Sequence, residues 1–324
     1  MLPTLPELLG DAHVVGLPMR VRFRGITFRE TMLLRGPAGW GEFGPFPEYP
    51  DAEAATWLAA AIEAAWVGPP DAVRTRVPIN ATVPAVPASD VPAVLARFPG
   101  ARTAKVKVAE RGQTLADDVA RVAAVRECGL SVRVDANGGW SVEEAVRALP
   151  SLGPLEYAEQ PCATVEELVA LRARVPGVRI AADESIRRAE DPLRVARLGG
   201  LDVAVVKVAP LGGMRRVLAL ADELAEFGVP IVVSSALDSA VGVGAGVAAA
   251  AALPTLDFAC GLGTGGFFTD DVGTGPAVVD GALALGEVSV DLERVHRLQP
   301  PPERVRWWLD RLRRCHAILV GRAV

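Results

Sequence analysis

The sequence predicts an α/β chain, a parallel barrel of eight strands joined to a smaller antiparallel unit. Three observations carry this. From Pro78 onward, short apolar runs alternate with amphipathic segments of helical period, eight of the first and seven of the second. Alternation at that spacing calls for parallel strands and right-handed crossovers, and eight such strands close naturally into a barrel. The first fifty residues lack this rhythm and read as antiparallel strands separated by turns. Finally, the first strand of the series runs out through Thr82-Val83-Pro84-Ala85. An open doubly wound sheet, the alternative, would usually carry a Gly-rich phosphate loop there.

In chain order, apolar stretches at 14–23, 26–34 and 40–43 are separated by turn signals such as Gly36-Pro37-Ala38-Gly39. Asp51 is expected to cap an Ala-rich helix running to about Trp66, with Glu53 in its first turn. Gly68-Pro69-Pro70 then marks a boundary. The barrel strands are predicted at 79–83, 104–108, 131–135, 155–159, 178–183, 202–208, 230–235 and 256–262. The helices between them are predicted near 89–98, 114–128, 141–149, 164–174, 192–198, 214–227 and 239–252. Gly242, Gly244 and Gly246 in the last of these read as close helix–barrel packing. After Val290 the pattern stops. The Arg- and Trp-rich tail carries a helical stretch near 303–319 that is expected to pack back on the N-terminal sheet. The domain boundaries are accordingly 1–77, 78–290 and 291–324.

Half of the 324 residues are hydrophobic, enough for a sizeable core, and the formal charge is −5. No basic patch stands out, which argues against a nucleic-acid partner. The N-terminus lacks the basic-then-apolar pattern of a signal peptide. The longest apolar run, 241–253, is too short to span a bilayer, so no membrane partner and a cytoplasmic location are expected. Cys128, Cys162, Cys260 and Cys315 lie far apart and read as buried thiols in a reducing compartment.

The chemistry begins with Thr103-Ala-Lys-Val-Lys-Val108, whose alternation puts Lys105 and Lys107 on one face of a strand. Only three of the 34 basic residues are lysine, the third being Lys207. A buried amine can lose its proton near neutral pH, whereas a guanidinium cannot. Lys107, Asp135, Glu159, Asp183 and Lys207 stand at the C-terminal ends of five successive predicted strands, the last four spaced 24 residues apart. A barrel's active site lies at that rim. Three carboxylates brought to one small volume repel each other, and a hard divalent ion such as Mg²⁺ resolves this. Taken singly, Asp135 and Asp183 would also serve as helix caps. His13, His296 and His316 all lie outside residues 78–290, so proton transfer falls to the lysines. A metal holding a substrate carboxylate, with a lysine facing the α-carbon, suits removal of an α-proton.

Lys105-Val-Lys107, Val134-Asp135-Ala-Asn137, Glu159-Gln160-Pro161, Asp183-Glu184-Ser185 and Lys207 resemble the signatures of the enolase superfamily, and Gly39-Trp-Gly41-Glu42 is similar to its capping-domain motif. The resemblance spans the whole chain. It implies a modified TIM barrel, (β/α)₇β, with an α+β capping domain formed by the N-terminal segment and the C-terminal tail. It also implies Asp135, Glu159 and Asp183 as Mg²⁺ ligands, with Mn²⁺ able to substitute, and Lys107 and Lys207 facing each other across a small carboxylate substrate. The lysine pair resembles the muconate-lactonizing subgroup. Within it, Ser234-Ser235-Ala236-Leu237-Asp238-Ser239, Gly261-Leu-Gly263-Thr264, the segment 43–49 and the basic segment 20–29 resemble those of dehydratases that aromatise a hydroxycyclohexadiene carboxylate. That implies substrate contacts from Lys105, Arg133, Ser234, Ser235 and Gly263. For Arg133, a barrel-interior arginine pairing with the metal carboxylates is the equal alternative. Racemases and epimerases share the subgroup, but the Asp-x-Asp that holds a substrate ammonium in dipeptide epimerases is replaced by Cys260-Gly-Leu-Gly. A non-catalytic carboxylate-binding barrel is the rival of another class. Gly261-Leu-Gly-Thr-Gly-Gly266 matches a dinucleotide fingerprint, but no helix pattern follows it.

Overall fold

The computed structural model describes residues 2–23, 25–187 and 191–323. Strands β1 (Ala12–Phe23), β2 (Ile26–Gly36) and β3 (Gly39–Phe43) form an antiparallel sheet in that order. Its inner face packs on α1 (Asp51–Ile62), an Ala-rich helix whose small side chains let sheet and helix approach closely. Gly41 marks the tightest point, where an added Cβ would lie 2.0 Å from the Ala61 carbonyl oxygen. Asp51 does not cap α1: Pro50 holds the cap position, and the Asp51 carboxylate pairs instead with Arg314 at 2.6 Å.

The second sheet has seven parallel strands: β4 (Ala81–Val83), β5 (Thr103–Lys107), β6 (Ser131–Asp135), β7 (Ala158–Glu159), β8 (Ile180–Ala182), β9 (Val203–Val206) and β10 (Ile231–Val233), each paired with its sequence neighbour. The predicted eighth strand at 256–262 is reduced to two parallel bridges, Cys260 with Ile79 and Gly261 with Ser234. These join the first strand's edge to the last and close the barrel. Helices α2 (Leu115–Glu127), α3 (Val142–Ser151), α4 (Val165–Arg174), α5 (Met214–Ala225) and α6 (Ala240–Ala252) cover the outside. Three of them open on capping boxes, Thr114 with Asp117, Ser141 with Glu144 and Thr164 with Glu167, which fix where each strand's loop ends.

The tail forms α7 (Pro302–Ala323), which packs on α1 and the antiparallel sheet. Trp308 is fully buried against the edge of Phe43, ring centroids 5.7 Å apart, and Arg304 pairs with Glu30 at 2.6 Å. The fold is therefore a (β/α)₇β barrel with a cap built from both ends of the chain. Three cysteines are buried and free as expected, while Cys128 is exposed. Among the described residues, no helix is long and apolar enough to cross a membrane.

Candidate active site

Strand register assembles the site. Lys105 pairs with Arg133 and Lys107 with Asp135 across β5 and β6, and Asp135 pairs with Glu159 across β6 and β7. Asp183 and Lys207 each stand one residue past β8 and β9, where four-residue helical turns (Glu184–Arg187 and Val208–Leu211) begin. A pocket at this end is lined by Lys105, Lys107, Asp135, Asp183 and Lys207 from one side and by Ser234 to Leu237, Gly261 and Thr264 from the other.

Every carboxylate in the pocket meets an ammonium group. The Lys105 Nζ donates to Glu159 Oε1 at 2.8 Å and lies 3.2 Å from Asp135 Oδ2. The Lys107 Nζ donates to Asp135 Oδ2 and Asn137 Oδ1, both at 2.6 Å. Lys207 donates to Asp183, which also accepts from the Arg187 Nε at 2.8 Å. Burial alone would raise Asp135, but Lys107 and Lys105 override it and hold the carboxyl well below the usual range. Asp183 behaves alike, held at about 2 against its burial by Lys207 and Arg187. Lys105 is raised: burial opposes its charge, yet Glu159 and Asp135 win, so this amine stays cationic and is no base. Lys207 is lowered, first by burial, with Asp183 opposing and Arg187 adding to the fall.

Glu159 differs. Burial and then the Asp135 charge push it up to about 7. Its Oε2 is buried with no hydrogen-bond partner. The expected convergence of three carboxylates is modified here: among the described residues, no group of three such side chains is set to hold a metal as it stands. The lysines account for this, since each draws its carboxylate toward an ammonium. The set still fits a divalent cation. It comprises three buried hard-oxygen groups, and one of their oxygens, Glu159 Oε2, has no hydrogen-bond partner.

Ser234 and Ser235 line the pocket, Ser235 sharing a hydrogen bond of 2.5 Å with the Thr264 hydroxyl. Two expected contacts are placed elsewhere. Arg133 is fully buried inside the barrel, where it bonds Glu156, the Tyr157 hydroxyl at 2.8 Å and the Ala259 carbonyl at 2.8 Å. It faces the lumen as alternation requires, but two residues before Asp135 it sits a layer below the rim. Gly263 packs against Ile79 and Phe98 and does not line the pocket. In the basic segment 20–29, Arg24 lies outside the described residues. Arg20 donates to the Phe268 carbonyl at 2.9 Å, and Arg29 is buried against the 234–239 loop. Tyr49 reaches the rim, its hydroxyl 3.3 Å from the Arg187 Nη1.

Sequence reasoning did not single out Asn137, Arg187 or Thr264 as site residues. Asn137 was visible in Val-Asp-Ala-Asn, and its left-handed backbone (φ 46°) turns the side chain back to Lys107. Arg187 gave no signal, because it is delivered by a helical turn of only four residues.

One charge near the pocket sets a pH dependence. Asp238 is pushed up to about 7, mainly by burial and then by the neighbouring Glu42 charge, with the Ala236 amide, Arg29 and Lys207 opposing. The unfolded chain releases this proton near pH 4. Stability from this group is therefore greatest below about pH 4 and falls as pH rises towards 7, by ~4 kcal/mol at most. Asp238→Asn keeps an acceptor for the Ala236 amide and removes the titration. Its urea midpoint should fall less between pH 5 and pH 8 than that of the parent protein, and equal slopes would count against this account.

Two family models match, one described as enolase N-terminal domain-like over residues 14–65 and one as enolase C-terminal domain-like over residues 93–288. An o-succinylbenzoate synthase of Mycolicibacterium smegmatis is 64% identical over 321 residues, covering 98% of this chain and 99% of the relative. That of Mycobacterium tuberculosis is 63% identical, covering 99% and 98%. Among solved structures, muconate lactonizing enzyme from Pseudomonas fluorescens, complexed with muconolactone, superposes with a TM-score of 0.76 at 23% identity, over 90% of this chain and 98% of the other. The N-succinyl Arg/Lys racemase of Bacillus cereus gives 0.76 at 18% identity, over 89% and 96%. These two likenesses are of fold.

Proposed function

The chain belongs to the enolase superfamily, and from this we infer that it dehydrates 2-succinyl-6-hydroxy-2,4-cyclohexadiene-1-carboxylate to o-succinylbenzoate, a hydro-lyase step of menaquinone biosynthesis. The observation that carries the reading is the pair of lysines, Lys107 and Lys207, lining one pocket together with Asp135 and Asp183, in a chain 64% identical to an o-succinylbenzoate synthase over nearly its full length. We assign Asp135, Glu159 and Asp183 as holders of a divalent metal, Mg²⁺ with Mn²⁺ as substitute. Held there, such an ion would neutralise the carboxylates and would polarise the substrate carboxylate, acidifying the α-proton. The catalytic barrel is taken as residues 78–290, with 1–77 and 291–324 as cap.

The residues then divide the work. Lys107 takes the proton from the carbon bearing the carboxylate. The C–O bond to the ring hydroxyl breaks, and Lys107 returns its proton to the leaving oxygen on the same face, so that water departs and the ring becomes aromatic. One group serves both steps because both occur on one face. Lys207 supplies positive charge from the other face as negative charge grows. Lys105 remains a counter-ion of Asp135 and Glu159. Ser234 and Ser235 bound the space left for the succinyl arm.

The test is growth of ultraviolet absorbance of the aromatic product from the cyclohexadiene, run before and after chelation and with Mg²⁺ or Mn²⁺ restored. Turnover lost on chelation and regained with either ion is the expected result, and no aromatic product from metal-loaded protein would refute the assignment. One observation favours a second reading: the lowered pKa of Lys207 suits a second base, as a racemase of N-acylamino acids requires. Loss of optical rotation of an N-succinylamino acid measures that activity on the same preparation.

A further inference from the structure

Glu42, next to last in the capping sheet's third strand, is buried and takes no part in the chemistry above. Its carboxylate crosses to the barrel. Oε2 accepts from the Ser239 amide at 3.0 Å, the Ser239 hydroxyl at 2.5 Å and the Gly242 amide at 3.0 Å, while Oε1 accepts from the Thr31 hydroxyl at 3.1 Å. Ser239 is the N-cap of α6, and its hydroxyl also accepts from the Val241 amide. The Ala240 amide goes to Asp271. The first-turn donors of a thirteen-residue helix are thus all satisfied, and Glu42 is the partner that comes from the cap. A carboxylate suits the place, because amide hydrogens and the helix dipole both favour negative charge there. Gly242 is required for the approach: an added Cβ would stand 2.8 Å from Glu42 Oε2.

The residues just before α6 are the pocket loop. Ser234, Ser235, Ala236 and Leu237 line the site, and Leu237 holds a left-handed backbone (φ 65°). The cap grips this loop a second time. Arg29 donates from Nε to the Leu237 carbonyl at 3.2 Å, its guanidinium stacked 4.2 Å over the Phe46 ring. One cap residue thus holds the loop by its amides and another by a carbonyl.

We propose that Glu42, seconded by Arg29, is a positioning residue for the reaction: it sets the 234–239 loop against the bound substrate from the capping sheet. The proposal rests on the dehydratase reading of this pocket and gives the Gly39-Trp-Gly41-Glu42 motif a task. Gly41 lets the sheet settle on α1, and Glu42 then spans the remaining gap to the barrel.

The experiment compares full-length protein with Glu42→Gln and Ser239→Ala. The amide side of glutamine presents donors to donors, so the tie is lost while volume is kept. In Glu42→Gln, hydrogen exchange in residues 234–242 should quicken by about 10-fold or more, with barrel strands unchanged. kcat/KM for dehydration should fall about 10- to 100-fold, mainly through KM, since the loop faces substrate and not Lys107. Mn²⁺ affinity should stay at the parent value. Ser239→Ala should show the same pattern more weakly, and the double variant should be no worse than Glu42→Gln alone. Parent-like exchange in the loop, a loss confined to kcat, or Mn²⁺ affinity falling in parallel would each overturn the proposal. If Glu42→Gln does not fold, Ser239→Ala decides on the same readouts. Inactivity of the parent protein would instead refute the dehydratase reading, and the exchange measurement would still judge the tie.

Discussion

Lys107→Ala should reduce dehydration to below about one part in 10³ of the parent kcat/KM. General acid–base catalysis by one positioned group typically contributes ~10²–10⁴-fold. Here the same amine is asked to remove a weakly acidic α-proton and then to protonate the departing hydroxyl, so its removal affects both halves of the reaction. Lys105 cannot take over, being held cationic by Glu159 and Asp135, and Lys207, assigned to the other face, cannot serve an elimination that begins and ends on one face. The fold should survive, because Asp135 keeps Lys105 at 3.2 Å and the Asn137 amide at 3.0 Å. Stopped assays for the aromatic product, with Mn²⁺ affinity and circular dichroism as controls, give the measurement. An alanine variant within tenfold of the parent rate would remove Lys107 from the role of base.

Much of this was legible because strand alternation and barrel topology are rules about period. Lys105, Lys107, Asp135, Glu159, Asp183 and Lys207 needed only the strand ends to be placed, and errors of up to three residues at those ends left the rim unchanged. The eighth strand was misjudged because Leu256–Leu262 has the composition of a strand, while Cys260 and Gly261 alone make the closing bridges. Arg133 and Asp135 share a face, which sequence could see, but depth along the barrel axis separates a plug from a pocket wall. Composition carries no measure of depth. Arg133 met Glu156 and Tyr157 below the rim, partners separated from it by more than twenty residues. The cap's part was the least readable. Glu42 and Ser239 lie 197 residues apart, and nothing in either segment announces the other. The ammonium–carboxylate contacts were likewise beyond the sequence, which supplied both signs of charge but not their pairing.

Lys207→Arg should divide the two chemistries that this pocket could support. The side chain at 207 is buried, pairs with Asp183 and lies close enough to Arg187 for that cation to lower its pKa further. Arginine keeps the positive charge at any working pH and can fork onto the same carboxylate, but it cannot surrender a proton. If Lys207 acts only as a cation opposite Lys107, dehydration should persist within about 100-fold of the parent, the loss reflecting a bulkier group crowded by Arg187. Racemisation of an N-succinylamino acid needs a base on each face, so it should drop by at least ~10²–10⁴-fold. Both rates are measured on one preparation, by aromatic absorbance and by optical rotation, which cancels any difference in folded fraction. Dehydration lost as completely as racemisation would mean that Lys207, and not Lys107 alone, moves a proton in the dehydration, and the roles assigned to the two lysines would have to be exchanged or shared.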